Sequence, residues 1–260
     1  MLSPEARSPV IKAFTSRLGF LFSLNEAFTT NKILPCFEDS SLQNAAWAGF
    51  LKSPGLARLD PARSEIKKLL EQGWEQVDER ELRGIFREVV LFAIENRLYA
   101  GGEGVEILGI GMIHTTDEER AELLDDVGMK MGDASELALW DAGLKAHVLR
   151  RLQEEPVPLG QAELEAIARL PIAVPALARE LIPVIYENVD LKRLPIRVSP
   201  IPINGLTYGW QSEEAEILAP YVLKRIEAAG FDSGAKRMLL NALDEVDQPG
   251  PLVKRLKDSL

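Results

Sequence analysis

Apolar residues recur along this chain at the three- and four-residue spacing of amphipathic α-helices, and alternating strand-like patterns are scarce. The clearest helix is predicted to begin at Asp78, where Glu81 completes a capping box. The pattern then assigns the following positions to one buried face: Leu82, Ile85, Phe86, Val89, Val90 and Ala93. Thr116 with Glu119 forms another capping box and predicts a further helix start.

Extended along the chain, this pattern predicts about ten helices joined by short loops. Ser8 and Pro9 have the order of a cap followed by a first-turn proline, and a helix through about Phe28 is expected behind them. Residues 105–113 are expected to be a short strand or a buried loop. Residues 194–206, which are rich in proline, predict an extended path. We therefore predict an all-α fold, an irregular α-solenoid or helical array with one extended Pro-rich segment.

A natural break lies at residues 154–160, which contain two prolines. We predict an N-terminal helical part over residues 1–155 and a C-terminal helical part over residues 156–260, joined in one continuous array. No exact repeat period is visible, so the sequence does not support a tetratricopeptide or ankyrin assignment.

Composition narrows the classes of partner. The chain has 260 residues, of which 46% are hydrophobic and 27% charged, as in packed globular proteins. Its net charge of -10 repels phosphate backbones, so no nucleic-acid partner is expected. Its apolar runs are shorter than a membrane span, its one cysteine cannot form an internal disulfide, and its N-terminus lacks a signal-peptide pattern. These features predict a cytoplasmic protein without membrane contact.

Residues able to do chemistry are few. His114 and His147 fall on different predicted elements and share no helix face, so no metal site is expected. Cys36 stands among apolar neighbours and is expected to be a small buried hydrophobe. The glycines near residue 101 complete neither a dinucleotide-binding motif nor a P-loop, and no nucleophile elbow is present. We expect no cofactor and no catalytic residue in this chain.

The tryptophans fall into two groups. Apolar helix faces carry three of them, which we expect in the core: Trp47, Trp74 and Trp140. Trp210 instead follows the Pro-rich segment, with Tyr208 and Arg197 nearby in sequence. Arginine, tyrosine and tryptophan are enriched where proteins hold their partners, so Arg197, Tyr208 and Trp210 are the candidate partner-binding residues. The alternative interpretation is that this segment straps the last helices onto the body.

Short motifs in a fixed order resemble a known family. The motifs are residues 33–37 (Ile-Leu-Pro-Cys-Phe), 46–51 (Ala-Trp-Ala-Gly-Phe-Leu), the helix around Trp140, and residues 181–183, 204–206 and 214–218. Together they resemble a helical domain at the C-terminal end of large bacterial proteins. Those proteins carry a sirtuin-like NAD-cleaving domain or a signalling NTPase domain and are linked to anti-phage defence. The resemblance covers roughly residues 21–246. It implies that the helical array senses or binds a protein while the linked effector acts, and it supplies no catalytic residues.

The chain departs from that family in two respects. Residues 101–114 are unusually apolar and glycine-rich, and the effector domain is not in this sequence, as expected of a fragment or a stand-alone subunit. We predict a protein-binding sensor module that regulates a linked effector. Its expected partner is either another protein, of which a phage-encoded protein is one example, or the linked effector domain. Two alternatives stay open. One is an oligomerisation scaffold with a large apolar self-interface, and the other is an acidic helical hydrolase whose dispersed carboxylates converge in a pocket.

Overall fold

The structure is a computed structural model, and it describes most of the chain. The described residues are 4–52, 63–96, 98–99, 102–132, 139–153, 156–190, 212–229, 233–244 and 246–260. All regular structure in these ranges is helical, which confirms the predicted all-α fold. Within them, no helix combines the length and the apolar character that crossing a membrane requires.

Two compact units make up the chain. The first comprises Met1–His114 with Leu139–Leu144, and the second comprises Thr115–Ala138 with Lys145–Leu260. The first unit contains α1 (Pro4–Thr15), α2 (Leu18–Leu24), α3 (Glu26–Phe28), α4 (Gln43–Lys52), α5 (Arg63–Gln76), α6 (Arg80–Glu95) and α7 (Glu103–Ile113). The second contains α8 (Asp117–Gly132), α9 (Lys145–Leu152), α10 (Gln161–Ala173), α11 (Ala178–Asn188), α12 (Ser212–Ala229), α13 (Ser233–Asp244) and α14 (Pro251–Ser259). Short π and 3-10 turns connect several of them: Thr29–Ile33, Leu34–Phe37, Trp140–Leu144 and Pro175–Leu177.

Aromatic rings form the core of the first unit. The ring centroids of Trp47 and Phe86 lie 5.7 Å apart and those of Trp74 and Phe86 lie 5.1 Å apart, both edge to face. Gly111 makes room for one of these rings, because a Cβ there would lie 2.7 Å from the indole of Trp74. The predicted burial of the tryptophans is confirmed, with exposures of 1% for Trp47 and Trp74 and 2% for Trp140.

Helix α1 packs on α4 at close range. A Cβ at Gly49 would lie 2.4 Å from the carbonyl oxygen of Lys12, so only glycine fits at this crossing.

Helix α1 begins at Pro4 and contains Pro9, so the predicted start at Ser8 and Pro9 is wrong. It also ends at Thr15, short of Phe28, because hydroxyl groups compete for its last carbonyls. The Thr15 hydroxyl donates to the Ile11 carbonyl at 3.0 Å, and the Ser16 hydroxyl to that of Ala13 at 2.8 Å.

Residues 105–113 form helix α7, so the predicted strand or buried loop is wrong. Glu103 and Glu106 lie in its first turn, where carboxylates interact favourably with the helix dipole. Its glycines serve close packing. A Cβ at Gly104 would lie 3.0 Å from the carbonyl oxygen of Ala142, within the same unit. The segment at 194–206 lies outside the described residues.

Carboxylates from neighbouring helices cap two helices of the second unit. The backbone N–H groups of Ala162 and Glu163 donate to the Asp117 carboxylate at 2.7 and 3.0 Å, at the start of α10. At the start of α14, those of Leu252 and Val253 donate to Glu216 at 3.3 and 3.0 Å. In both cases the residue before the helix is a glycine, Gly160 or Gly250, where a Cβ would overlap the capping carboxylate. The predicted capping box of Thr116 and Glu119 is confirmed, with its reciprocal bonds at 2.9 and 3.2 Å.

A buried polar contact joins α10 and α12. Pro171 lies inside α10, where its ring disturbs the carbonyls of the preceding turn. The Ala168 carbonyl in that turn accepts bonds from the Tyr221 hydroxyl at 2.7 Å and from Arg225 Nη1 at 2.9 Å. Burial raises the pKa of Tyr221 to about 12, so its hydroxyl stays protonated and donates.

Candidate protein-docking surface

An apolar groove runs along the outer side of α1 and α2 in the first unit. Its volume is about 490 Å³, and it is lined by Pro9, Val10, Ala13, Phe14, Arg17, Phe20 and Leu21. Val10 is 46% exposed, Phe14 38% and Phe20 53%, so large apolar side chains face solvent here. A cluster of this kind is typical of an interaction site, whereas scattered exposed apolar residues are ordinary.

The local sequence explains why these side chains lie outside. Val10, Phe14 and Arg17 are spaced by four and three residues, so they form one stripe along α1. The opposite side of the helix, which includes the fully buried Thr15, faces α4. Arg17 leaves the helical conformation at φ -123° and ψ 27°, and the break there places Phe20 in the same groove as the α1 stripe.

Apolar exposure continues beyond the groove. Leu24 and Phe28 follow Phe20 at four-residue intervals and are 66% and 43% exposed. We call Val10, Phe14, Phe20, Leu24 and Phe28 the apolar face. Its members contribute little to the core of the unit, so burying them requires another surface.

One cation, Arg17, lines the groove of this acidic protein. Residues 6–25 contain three basic side chains, Arg7, Lys12 and Arg17, and no acidic one, while the whole chain has a net charge of -10. Arg17 is exposed and lines the groove itself. An apolar groove with a guanidinium at its edge is complementary to an apolar segment that carries carboxylates.

The predicted partner-binding residues Arg197, Tyr208 and Trp210 lie outside the described residues, so that assignment stays a prediction. The apolar face was not identified from the sequence. A signal for it was present, because residues 9–28 contain more apolar positions than one buried helix face needs.

Charged groups converge instead inside the second unit. Glu163, which is 1% exposed, accepts a bond from Arg120 Nε at 2.8 Å and bonds from Arg151 Nε and Nη2 at 2.6 and 2.8 Å. Arg151 also donates to the Val157 carbonyl at 2.7 Å. Both oxygens of Glu163 are therefore engaged by guanidinium groups, which leaves neither ready to take a proton from a substrate. We call Arg120, Arg151 and Glu163 the ion cluster, and its geometry is that of a structural element.

The histidines and the cysteine differ in their surroundings. His147 is buried, with 3% of its surface exposed. Burial, together with the nearby charges of Arg151 and Arg150, lowers the pKa of His147 to about 3, so the imidazole is neutral. Cys36 is buried, as predicted, and burial raises the pKa of its thiol. Among the described residues, no group of three or more His, Cys, Asp or Glu side chains is arranged to hold a metal ion.

Comparisons with known proteins find no matching family model, no matching curated protein and no matching solved structure.

Proposed function

We propose that this chain is a protein-binding module whose α1–α2 groove docks an apolar segment of a partner protein. The observation that carries the proposal is the exposure of Val10, Phe14 and Phe20 around one groove. Fully burying a side chain of this size stabilises a complex by roughly 1.5–3 kcal/mol. A few such anchors commonly supply most of the binding energy of an interface.

The chemistry of the groove favours an acidic amphipathic helix as the docked segment. Such a helix presents apolar anchors at three- and four-residue spacing, which suits a groove between two helices. Carboxylates beside those anchors would face Arg17, which lines the groove. Acidic residues in the groove would oppose this pairing, and residues 9–21, which span its lining, contain none.

Docking would regulate an effector, as the resemblance to the defence-associated helical domain implies. A partner changes the state of an effector only when it binds two states of the assembly with different affinity. The predicted recognition residues Arg197, Tyr208 and Trp210 are the second part of this proposal. If alanine at these three positions leaves the affinity for a captured partner unchanged, their assignment is wrong.

The groove is tested by a pair of matched variants. Phe14→Ser combined with Phe20→Ser removes two anchors, and Ile113→Ser removes an exposed apolar side chain, 64% exposed, that lies outside the groove. The bait is the full chain, and proteins retained from phage-infected and uninfected bacterial lysates are identified by mass spectrometry. A specific partner should bind the Phe14/Phe20 variant roughly 100-fold more weakly, which corresponds to about 3 kcal/mol. The Ile113 variant should bind it normally.

Equal retention by the wild-type chain and both variants would contradict the groove as the docking surface. Circular dichroism checks that each variant is folded. We expect both variants to fold, because the substituted side chains are exposed and contribute little to the core. A partner that appears only after infection would name the trigger of the proposed sensor.

A further inference from the structure

The outer side of α6 presents a second exposed apolar stripe. Ile85 is 42% exposed and Phe92 39%, although both lie inside a helix that buries most of its other apolar residues. At 100° per residue, Glu81, Ile85, Glu88, Phe92 and Glu95 fall within an arc of about 80°. We call these five residues the α6 face. The prediction that Ile85 belongs to the core is wrong for this reason.

The α6 face is acidic and regularly spaced. Glu81, Glu88 and Glu95 recur every seven residues, and Ile85 and Phe92 lie between them at the same interval. Within the described part of the chain, no ion pair engages these three glutamates. The face therefore alternates carboxylates with apolar anchors over about 21 Å of helix.

Gly84 adds a feature of the backbone. It lies inside α6 on the same side as the α6 face, and a Cβ there would meet nothing within 4 Å. A glycine in a helix interior destabilises it by roughly 0.5–1 kcal/mol relative to alanine. Since packing within the chain does not require a glycine here, the position is suited to close approach by another molecule.

The α6 face has the chemistry that the groove of α1 and α2 lacks. The groove combines apolar side chains with a cation, Arg17, and lies on a stretch without acidic residues. The α6 face combines apolar side chains with carboxylates. A helix such as α6 is the acidic amphipathic segment that the proposed function calls for, and it is present on this chain itself.

We infer that the α6 face of one copy docks in the α1–α2 groove of a second copy. Ile85 and Phe92 enter the groove, and Glu88 faces Arg17. Because the two surfaces differ, the contact is head to tail, and successive copies form a ring or an open chain. The inference rests on the groove of the proposed function, and it makes self-association compete with partner binding.

Complementation between two variants tests the inference. The first variant, Ile85→Ser with Phe92→Ser, loses the α6 face but keeps the groove. The second, Phe14→Ser with Phe20→Ser, loses the groove but keeps the α6 face. We expect the wild-type chain to associate with rising concentration in sedimentation velocity and each variant alone to associate at least tenfold more weakly. An equimolar mixture of the two variants should form a one-to-one dimer that does not grow further, because one intact pair of surfaces remains.

A wild-type chain that stays monomeric at every concentration would overturn the inference, as would a variant mixture that remains monomeric.

A charge exchange tests the proposed contact between Glu88 of one copy and Arg17 of the other. Arg17→Glu should weaken self-association about tenfold, and Glu88→Arg in the same chain should restore it, because each copy then supplies the reversed pair. No recovery would overturn the contact between Glu88 and Arg17.

The proposed function fails separately. The Ile85/Phe92 variant keeps its groove, so it should capture a foreign partner at least as well as the wild-type chain. Capture without wild-type self-association overturns only the inference, and complementation without any captured partner overturns only the proposed function.

Flotation with phosphatidylglycerol vesicles tests whether a lipid surface occupies the groove instead. Vesicle binding that is lost in the Phe14/Phe20 variant would assign the groove to a lipid surface and overturn the inference.

Discussion

Both units have apolar interiors, and the second unit also encloses an ion cluster. In the first unit, Trp47, Trp74 and Phe86 pack edge to face in an apolar core. In the second unit, Glu163 and Arg151 are almost completely buried and hold each other through two bonds. Apolar burial is non-directional and scales with area, whereas a buried ion pair is stable only when its geometry is complete. The second unit should therefore be more sensitive to the loss of a single polar atom.

Glycines show the same contrast. Gly111 in the first unit admits the indole ring of Trp74, while Gly160 and Gly250 in the second unit admit the carboxylates of Asp117 and Glu216. In each case the absence of a Cβ permits a close contact. The contact at Gly111 is apolar and the contacts at Gly160 and Gly250 are charged, so the same residue type serves two kinds of stabilisation.

The largest effect should come from breaking the aromatic core. Phe86→Ala removes a fully buried ring that contacts two tryptophans, and we expect it to lower the free energy of unfolding by about 4–5 kcal/mol. Phe92→Ala on the same helix removes a ring that is 39% exposed and should cost less than about 1 kcal/mol. Urea unfolding of both variants at low protein concentration measures the difference. Equal losses would contradict the division of α6 into a buried and an exposed side.

Breaking the ion cluster should have the next largest effect. Glu163→Ala leaves Arg120 and Arg151 buried without their carboxylate, and we expect a loss of about 3–4 kcal/mol. The control is Glu180→Ala, since Glu180 is 41% exposed where it pairs with Lys145 and should contribute less than about 1 kcal/mol. Replacing Arg120, Glu163 and Arg151 together by Met, Leu and Met should recover part of the stability. A triple variant weaker than Glu163→Ala would argue against uncompensated charge as the cause.

A smaller effect should follow from pH, and it should arise in the second unit. The pKa of His147 is about 3 in the folded chain and 6.5 in the reference state, so the unfolded chain takes up the proton first. Stability should therefore fall as pH drops below 6.5, by about 1.4 kcal/mol per unit and about 2 kcal/mol at pH 5. His147→Gln should remove this part of the slope, while His114→Gln should keep it. If the free energy of unfolding falls equally with pH in the wild type and in His147→Gln between pH 7 and 5, His147 is not the source of the pH dependence.

Periodicity predicted the helices and the buried tryptophans because both depend on local spacing. It misassigned Ile85, since a helix with two apolar sides does not reveal which side faces the core. It also misread α7, because Gly104 and Gly111 serve contacts with other parts of the unit rather than a chain break. The sequence pattern did not predict the ion cluster, for a related reason. Arg120 and Glu163 are 43 residues apart in sequence, so local sequence patterns do not predict their contact.

The carboxylate caps also determine how the helices of the second unit open and close. Helix α14 has nine residues, too few to be stable alone, and its first amides are held by Glu216 from α12. Hydrogen exchange at Leu252 and Val253 should therefore report on α12 as well as on α14. Any event that unwinds α12 at Glu216 would release the final helix, so a disturbance at residue 216 would be transmitted 36 residues along the chain.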